Sequence, residues 1–315
     1  MSRPPAGPAP GGRAPSRPGP GPARGGRTLT AVSRDGSRVH VEVYGDEGAP
    51  TVVLAHGWTC STPFWAAQIR ELVAEYRVVV YDQRGHGRTA VAAVGTEQLA
   101  DDLEAVLGAV LPDGEKAVLA GHSMGGMTLM AAARRPGFTD RAAAVLLCST
   151  GSSRLVEEAR VVPMRRGPLR ARLTRAVLGA RAPLGPVTPL SRRLLRYATM
   201  GPTATPAAVA ECARIVHACP RRVRVAWSDV LAGIDLDSGV RELTVPTVVV
   251  AGTADRLTPM VHARRIAATL PDCRKLVELD GVGHMTPVEA PDAVTAAIRE
   301  LARTHLGVRR QEEAA

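Results

Sequence analysis

The chain has 315 residues, of which 45% are hydrophobic, enough to bury the core of one full α/β domain with a sizeable insertion. Its net charge of +10 is concentrated in two segments, since 1–27 carries five arginines and no acid and 151–235 carries fifteen arginines against five acids. Because no basic stripe interleaved with aromatic residues accompanies this charge, the composition argues against a nucleic-acid partner.

Apolar runs alternate with helical periods along the chain. The tail over 1–27 is mostly Pro, Gly, Ala and Arg, and we expect it to be disordered because it cannot bury enough apolar surface. The apolar runs predict strands at 28–32, 39–44, 51–55, 78–81, 117–120, 142–148, 245–251 and 275–279. Helical periods predict helices at 64–76, 97–111 and 126–134, one from Thr258 as N-cap with Pro259 in its first turn, and one near Pro291. Short strands that alternate with helices indicate a parallel sheet covered on both faces.

A segment rich in arginine and proline, 151–235, separates the two parts of this pattern. Helical periods near 169–178, 192–197 and 207–218 follow one another there without intervening strands, which predicts a helical cap. In the first of these helices, Leu169, Leu173 and Val177 are spaced four apart with arginines on other faces, as in a basic amphipathic helix. The predicted organisation is a core of 28–150 and 236–308, a cap of 151–235 and a C-terminal tail of 309–315.

The strongest chemical signal is the G-x-S-x-G pattern from Gly121 to Gly125, which directly follows an apolar strand and opens a helix. A nucleophile on so tight a turn takes a strained backbone conformation and needs small residues two positions to either side. The two glycines meet that need. The pattern alone is modest evidence in a chain with 31 glycines. Its strand, turn and helix setting makes Ser123 the candidate nucleophile.

A serine hydroxyl is a weak nucleophile at neutral pH, so it needs a base and a third group that orients the base. Asp255 lies just beyond the predicted strand that ends at Ala251, and His284 follows the strand that ends near Leu279. Loops at these places bring both side chains to the carboxyl edge of the sheet. The chain order of serine, aspartate and histidine then completes a catalytic triad.

These motifs resemble those of the α/β-hydrolase superfamily, and the resemblance covers about 28–308. The matching elements are His56-Gly57-Trp58, Tyr81-Asp-Gln-Arg-Gly-His-Gly87, Gly121-His-Ser-Met-Gly-Gly126, Gly252-Thr-Ala-Asp255 and Gly283-His284. The resemblance implies the α/β-hydrolase fold, an eight-stranded, mostly parallel sheet with helices on both faces, here with the helical cap inserted. It also implies that the backbone N–H groups of Trp58 and Met124 form an oxyanion hole, and that His56 supports the loop carrying Trp58.

Other conspicuous residues receive a structural interpretation first. Arg84 and His86, in the turn after the fourth strand, are expected to hold loops together. His122, beside the nucleophile, is expected to point away from the reaction because of strand geometry. Cys60 is expected to be a packing residue. Trp227 is predicted to line the substrate pocket, with a core role as the equal alternative.

The superfamily also contains epoxide hydrolases and haloalkane dehalogenases, but those enzymes attack with an aspartate at the position that Ser123 occupies here. The sequence therefore predicts a serine hydrolase that cleaves a carboxylic ester, thioester or lactone through an acyl-enzyme, without cofactor or metal. A cofactor-free perhydrolase of the haloperoxidase type and a carbon–carbon bond hydrolase share the triad and stay open. An alternative of another class is a ligand-binding receptor of low turnover on the same fold.

The expected partner is a small acyl substrate bound under the cap. The arginine excess of the cap also suggests an anionic substrate or an acidic carrier protein, with solvated helix faces as the favoured explanation. The five cysteines are odd in number and show no C-x-x-C spacing, which disfavours disulfides and zinc and fits a reducing compartment. No segment resembles a membrane span or a secretory signal. We expect a cytoplasmic protein that does not span a membrane.

Overall fold

The structure is a computed structural model that describes residues 26–307. The predicted C-terminal tail at 309–315 and all but the last two residues of the predicted tail at 1–27 lie outside that range. Eight described strands form one sheet: β1 (Arg27–Val32), β2 (Arg38–Tyr44), β3 (Thr51–Ala55), β4 (Arg77–Tyr81), β5 (Ala117–His122), β6 (Ala142–Cys148), β7 (Thr247–Gly252) and β8 (Cys273–Leu279).

The order of the strands in the sheet is β1-β2-β4-β3-β5-β6-β7-β8. β2 pairs antiparallel with both of its neighbours, and the pairs from β4 through β8 are parallel. The predicted fold class, an eight-stranded and mostly parallel sheet, is confirmed. The burial of each strand explains its sequence pattern, since β2 alternates between buried and more accessible positions while β3, β4, β5 and β7 are buried throughout.

Helices connect the strands and cover the sheet. They are α1 (Ala66–Leu72), α2 (Thr96–Val110), α3 (Met124–Ala132), α4 (Pro136–Thr139), α5 (Leu155–Glu158), α6 (Pro168–Leu178), α7 (Pro189–Thr199), α8 (Pro206–Ala218), α9 (Arg221–Ala232), α10 (Asp237–Glu242), α11 (Met260–Thr269), α12 (Thr286–Glu289) and α13 (Pro291–His305). The continuous helix predicted over 64–76 is wrong in detail. A 3-10 turn, Thr62–Trp65, precedes a shorter α1, with Pro63 in the first turn.

The sheet separates two apolar layers. Successive side chains of one strand, such as Val52 and Val53 in β3, enter opposite layers because the side chains of a strand alternate between its faces. Helices α2, α3 and α11 pack in the layer that holds Val53, and helices α1 and α13 pack in the layer that holds Val52. Both faces of the sheet are therefore covered, as the sequence predicted.

The segment between β6 and β7 is helical in this structure and contains α5 to α10. An isolated antiparallel bridge between Ser153 and Asp235 joins its two ends at the rim of the sheet. Three of these helices, α6, α7 and α8, match the helical periods of the sequence, and α5, α9 and α10 were missed. The signal of α9 is Val223 and Trp227, two buried residues four apart that follow the exposed Arg221 and Arg222. Among the described residues, no helix is long and apolar enough to cross a membrane.

Candidate active site

Ser123 occupies a sharp turn between β5 and α3. Its backbone has φ 51° and ψ −115°, a left-handed conformation that is strained for a residue with a Cβ. Two hydrogen bonds from the end of the neighbouring strand hold it there. The Ser123 N–H donates to the carbonyl of Cys148 at 2.9 Å, and the hydroxyl of Thr150 donates to the carbonyl of Ser123 at 2.7 Å.

The glycines of the G-x-S-x-G pattern are required by close backbone contacts. A Cβ on Gly121 would lie 2.5 Å from the carbonyl carbon of Gly125, and a Cβ on Gly125 would overlap the carbonyl of Ala55 in β3. The turn can therefore form only with hydrogen at both positions. The serine is presented above the sheet at the carboxyl end of β5, the edge where open α/β sheets bind ligands.

Asp255 and His284 meet at the same edge, after β7 and β8. Nδ1 of His284 lies 2.8 Å from Oδ2 of Asp255, and both side chains are almost fully buried. A carboxylate in this position fixes the proton on Nδ1 and leaves the lone pair of the ring on Nε2. Nε2, on the side of the ring away from the aspartate, is therefore the nitrogen that can accept a proton.

The carboxylate of Asp255 is held by its own loop. Its Oδ1 accepts hydrogen bonds from the backbone N–H groups of Leu257 at 2.8 Å and Thr258 at 2.9 Å, and its Oδ2 lies 2.8 Å from the hydroxyl of Thr258. The prediction that Thr258 is the N-cap of the next helix is wrong. Helix α11 has Pro259 at that position, and the Thr258 side chain instead binds the carboxylate.

The backbone of His284 is fixed by three contacts that sequence reasoning did not find. Its N–H donates to the carbonyl of Thr199, the last residue of α7, and its carbonyl accepts from Nε2 of His122, each at 2.8 Å. The half-buried carboxylate of Glu289 accepts from the N–H groups of Gly283 and Met285 on either side. Burial is the largest influence on this carboxyl and raises its pKa. The loop that carries His284 is thus anchored to the core and to the cap.

His122 does not point away from the reaction as the sequence predicted. Its side chain lines the same cavity as Ser123, and its ring centroid lies 4.9 Å from that of His284. Burial, reinforced by the neighbouring imidazole, lowers the pKa of His122 well below its usual range, so the ring is neutral and donates from Nε2. A Cβ on Gly57 would lie 2.7 Å from Nδ1 of His122, so the space around this ring is tightly packed.

The two predicted oxyanion-hole residues come from different segments next to the cavity, one after β5 and one after β3. Met124 is the first residue of α3, so its N–H belongs to the turn whose donors have no acceptor within the helix. Trp58 follows β3 and lines the cavity with Ser123. The next residue, Thr59, has φ 63°, and its N–H donates to Nε2 of His86 at 3.1 Å. That bond fixes the backbone beside Trp58.

Two buried histidines therefore hold this loop as neutral acceptors. Nε2 of His56 accepts from the N–H of Gln83 at 3.0 Å, as Nε2 of His86 does from Thr59. Burial lowers the pKa of His56 to about 4, and burial together with the neighbouring His56 lowers the pKa of His86 to about 3. Both rings remain uncharged at neutral pH, which the hydrogen-bond pattern requires. Arg84, also predicted to hold loops, is fully buried and donates to Asp102 and Asp35.

A cavity of about 250 Å³ lies between the sheet edge and the cap. Ser123, His284 and Trp58 contribute to its floor, and cap side chains including Leu178 and Leu195 contribute to its walls. Most of the lining is apolar. The space above the serine therefore suits an apolar group held under the cap.

Trp227 does not line this cavity. Its side chain is fully buried in α9, and its indole N–H donates to the carbonyl of Arg84 at 2.9 Å. The predicted substrate contact is therefore corrected to the alternative, a core role, in which Trp227 ties the cap to the turn after β4. A second tryptophan, Trp58, makes the matching link, since its indole N–H donates to the carbonyl of Arg224 at 3.2 Å.

Within 26–307, no group of three or more histidine, cysteine, aspartate or glutamate side chains is arranged to hold a metal ion. All five cysteines are free thiols. Burial raises the pKa of Cys60 well above its usual value, so the thiol close to the loop of Trp58 is not an activated nucleophile.

Comparison with known proteins decides the family. The sequence model described as "Alpha/beta hydrolase family" matches residues 52–297, most of the chain. The chain belongs to the alpha/beta hydrolase family. In this member of the family the turn of Ser123 follows β5, Asp255 follows β7 and His284 follows β8, all at the carboxyl edge of the sheet.

Individual members of the alpha/beta hydrolase family resemble the chain to different extents. "Probable oxidoreductase EphD" of Mycobacterium tuberculosis (strain ATCC 25618 / H37Rv) is 38% identical over 115 residues, which are 35% of this chain and 19% of that protein. The match to EphD thus spans about a fifth of its length. "Epoxide hydrolase A" of the same strain is 28% identical over 87% of this chain and 96% of its own length. The solved structure of a thermophilic esterase from Thermogutta terrifontis is similar with a TM-score of 0.72 and 26% identity, over 88% of this chain and 98% of that one.

Proposed function

We propose that this family member is a serine hydrolase that cleaves a carboxylic ester, thioester or lactone through an acyl-enzyme. The observation that carries the proposal is the shared cavity. It exposes Ser123, in its strained turn, to the same space as His284, whose Nδ1 is bound by Asp255 at 2.8 Å. A nucleophile, a base and an orienting acid are the parts that acyl transfer needs.

In the proposed reaction, Nε2 of His284 removes the proton of the Ser123 hydroxyl as Oγ attacks the substrate carbonyl carbon. The tetrahedral intermediate collapses, the bond to the leaving group breaks, and the proton on Nε2 passes to the leaving alcohol, thiol or lactone oxygen. Water then attacks the acyl-enzyme with the same base, which releases the acid and regenerates the serine. Asp255 keeps the imidazole oriented and stabilises the imidazolium.

The developing oxyanion is assigned to the backbone N–H groups of Trp58 and Met124. Each donor aimed at that oxygen contributes about 3 kcal/mol to transition-state stabilisation. The neutral imidazoles of His56 and His86 support this assignment because they hold the strand-end loop that carries Trp58. Both rings act through the backbone rather than on the substrate.

The cavity favours an uncharged acyl group. Two arginines reach its lining, but their guanidinium groups donate to cap carbonyls, Arg224 to Ala180 and Ala182 and Arg175 to Ala232. An anionic substrate would have to compete for donors that are already bonded. Comparing kcat/KM for a neutral butyrate ester with that for the hemisuccinate ester tests whether the arginine excess favours an anionic substrate, and we expect the neutral ester to be better.

The alternative functions share this fold and differ in the reaction that each would carry out. The similarity to Epoxide hydrolase A spans most of the chain, but an epoxide hydrolase of this superfamily uses an aspartate at the elbow, where this chain has Ser123. Perhydrolase and carbon–carbon bond hydrolase activities would use the same triad. They predict turnover of an acid with hydrogen peroxide, or of a diketone, above ester hydrolysis. A receptor of low turnover predicts ligand binding without hydrolysis.

The test is hydrolysis of p-nitrophenyl esters of graded acyl length by the full chain. Ser123→Ala is expected to lower kcat by about 10⁶, because the triad acts as a unit. Ser228→Ala is the matched control, since its hydroxyl also lies in the cavity lining but donates to the carbonyl of Val225 within its own helix. We expect this control to keep the parental kcat. Equal activity of the Ser123→Ala variant and the parent would refute the proposal.

A further inference from the structure

The cap exposes an unusual concentration of large apolar side chains. Of the twelve large hydrophobic residues that are exposed in the described chain, nine lie between 164 and 197. Leu190 and Leu194 are 66% and 61% exposed, more than the others of the nine. Soluble proteins scatter such residues singly, so a concentration in one segment marks a surface that contacts something. We name this surface, over 164–197, the cap patch.

The exposed residues of the cap patch form two stripes on α6 and α7. Leu169, Leu173 and Val177 recur at every fourth position of α6, and Leu190, Leu194 and Tyr197 recur at spacings of four and three on α7. Residues at such spacings lie on one face of a helix. Each helix therefore turns an apolar stripe to the outside of the protein.

The two stripes flank the entrance of the catalytic cavity. Val177 from α6, Leu184 from the connection and Leu195 from α7 all line the cavity that also contains Ser123. Val177 and Leu184 are themselves part of the exposed set. The cap patch is thus continuous with the apolar wall above the candidate nucleophile.

The same segment is strongly basic. Residues 164–197 contain nine arginines and no aspartate, glutamate or lysine. Five of these arginines are exposed and make no ion pair or side-chain hydrogen bond in the described structure, namely Arg165, Arg172, Arg181, Arg192 and Arg193. Cationic and apolar groups are therefore interleaved over one surface, and the cations are available to a partner.

We propose that the cap patch docks on an anionic lipid surface. Leucine and valine side chains of an interfacial helix insert at the boundary of the acyl chains, and arginines beside them reach the phosphate oxygens of the headgroups. A negatively charged leaflet attracts each exposed arginine and accepts the leucines as well. A second copy of this chain would bring a like-charged patch, and an acidic protein would satisfy the arginines without a need for two apolar stripes.

Docking in this orientation turns the cavity entrance towards the lipid. An apolar ester in the membrane then reaches Ser123 along Val177 and Leu195 without crossing water. This consequence for substrate delivery rests on the proposed function, whereas lipid binding itself does not. The binding test therefore needs no turnover, and its result is independent of whether the triad is active.

The experiment is co-sedimentation of the full chain with sucrose-loaded vesicles of phosphatidylglycerol and phosphatidylcholine at low ionic strength. We expect binding to mixed vesicles and much weaker binding to phosphatidylcholine alone. Arg192→Gln combined with Arg193→Gln should lower the partition coefficient about 30-fold, since an arginine near an anionic surface contributes about 1 kcal/mol. Leu190→Ser combined with Leu194→Ser should lower it at least about tenfold. Added salt should weaken binding of the parent.

The residues for matched controls lie in β1, in β2 and in the turn between them, outside the cap. Arg34→Gln combined with Arg38→Gln removes two exposed arginines, and Val32→Ser removes an apolar side chain that is 60% exposed. Both controls should bind like the parent, and thermal unfolding should show that every variant is folded. Equal binding to neutral and anionic vesicles, or no binding to either, would overturn the proposal. Loss of binding in the arginine variant with none in the leucine variant would also overturn it, because charge alone then suffices, as for an acidic protein partner.

Discussion

Nε2 of His122 lies 2.8 Å from the backbone carbonyl of His284, so the residue before the candidate nucleophile holds the loop of the candidate base. This bond joins the end of β5 to the loop that follows β8. The ring is buried against Phe64, with centroids 4.7 Å apart, and has no freedom to follow a moving loop. The packing of His122 in the core therefore fixes the position of His284 relative to Ser123.

Removal of this bond should impair turnover more than binding. We expect His122→Ala to lower kcat about 10- to 100-fold with little change in KM, because a small displacement of the base from its line of attack is costly. His122→Gln, which can again donate from a side-chain nitrogen, should recover part of the loss. Steady-state kinetics with one ester and both variants checks this. Parental kcat in the alanine variant would show that the loop is held without His122.

The bond between Asp255 and His284 makes a separate prediction. Asp255→Asn keeps the shape of the side chain but offers an amide to Nδ1, which favours the wrong tautomer of the imidazole. We expect kcat to fall by about 10⁴ while the protein remains folded. Asp292→Asn, at an exposed carboxylate in the first turn of α13, is the control and should keep the parental kcat. A loss of less than about tenfold for Asp255→Asn would place the orienting acid elsewhere.

His56 and His86, the neutral histidines that hold the loop of Trp58, predict that the free energy of unfolding depends on pH. The folded-state pKa values of His56 and His86 are about 4 and about 3, below the ordinary value near 6.5, so the unfolded chain binds their protons first as the pH falls. The stability they contribute is fully present above about pH 6.5 and is lost as the pH falls towards 4. Burial raises the pKa of Asp82 and of Glu289. These two carboxyl groups therefore add stability as the pH falls, in the opposite sense to the histidines.

A variant isolates the contribution of one ring. Urea unfolding at pH 7 and pH 5 should show that His86→Gln loses less stability on acidification than the parent, by about 2 kcal/mol, since each histidine contributes about 1.4 kcal/mol per pH unit in this window. An identical pH dependence in the two proteins would contradict this, because it would mean that His86 binds its proton equally well in the folded and the unfolded chain.

The sequence predicted the sheet well because its strands are short apolar runs whose burial follows from composition alone. β3 and β6 have the predicted bounds, and β5 and β7 differ by only one or two residues at their ends. The three triad candidates were found because each directly follows such a strand. Their placement at one edge is a consequence of parallel strands.

The residues that hold the triad in place were not predictable in the same way. From the local sequence, the hydroxyl of Thr258 is expected to cap the following helix. In the structure it binds the carboxylate of Asp255, three residues earlier, instead. The orientation of His122 depends on a carbonyl 162 residues away in the chain. The sequence left Trp227 open between a pocket and a core role, because its burial against the turn of Arg84 depends on how the cap packs.

Reaction with a fluorophosphonate probe followed by peptide mass spectrometry tests the central claim most directly, because phosphonylation requires a serine that is activated by its own base. The account predicts one adduct, on Ser123, formed by the parent and by Ser228→Ala and absent from Ser123→Ala. Failure of the folded parent to react, or an adduct on another serine, would contradict it.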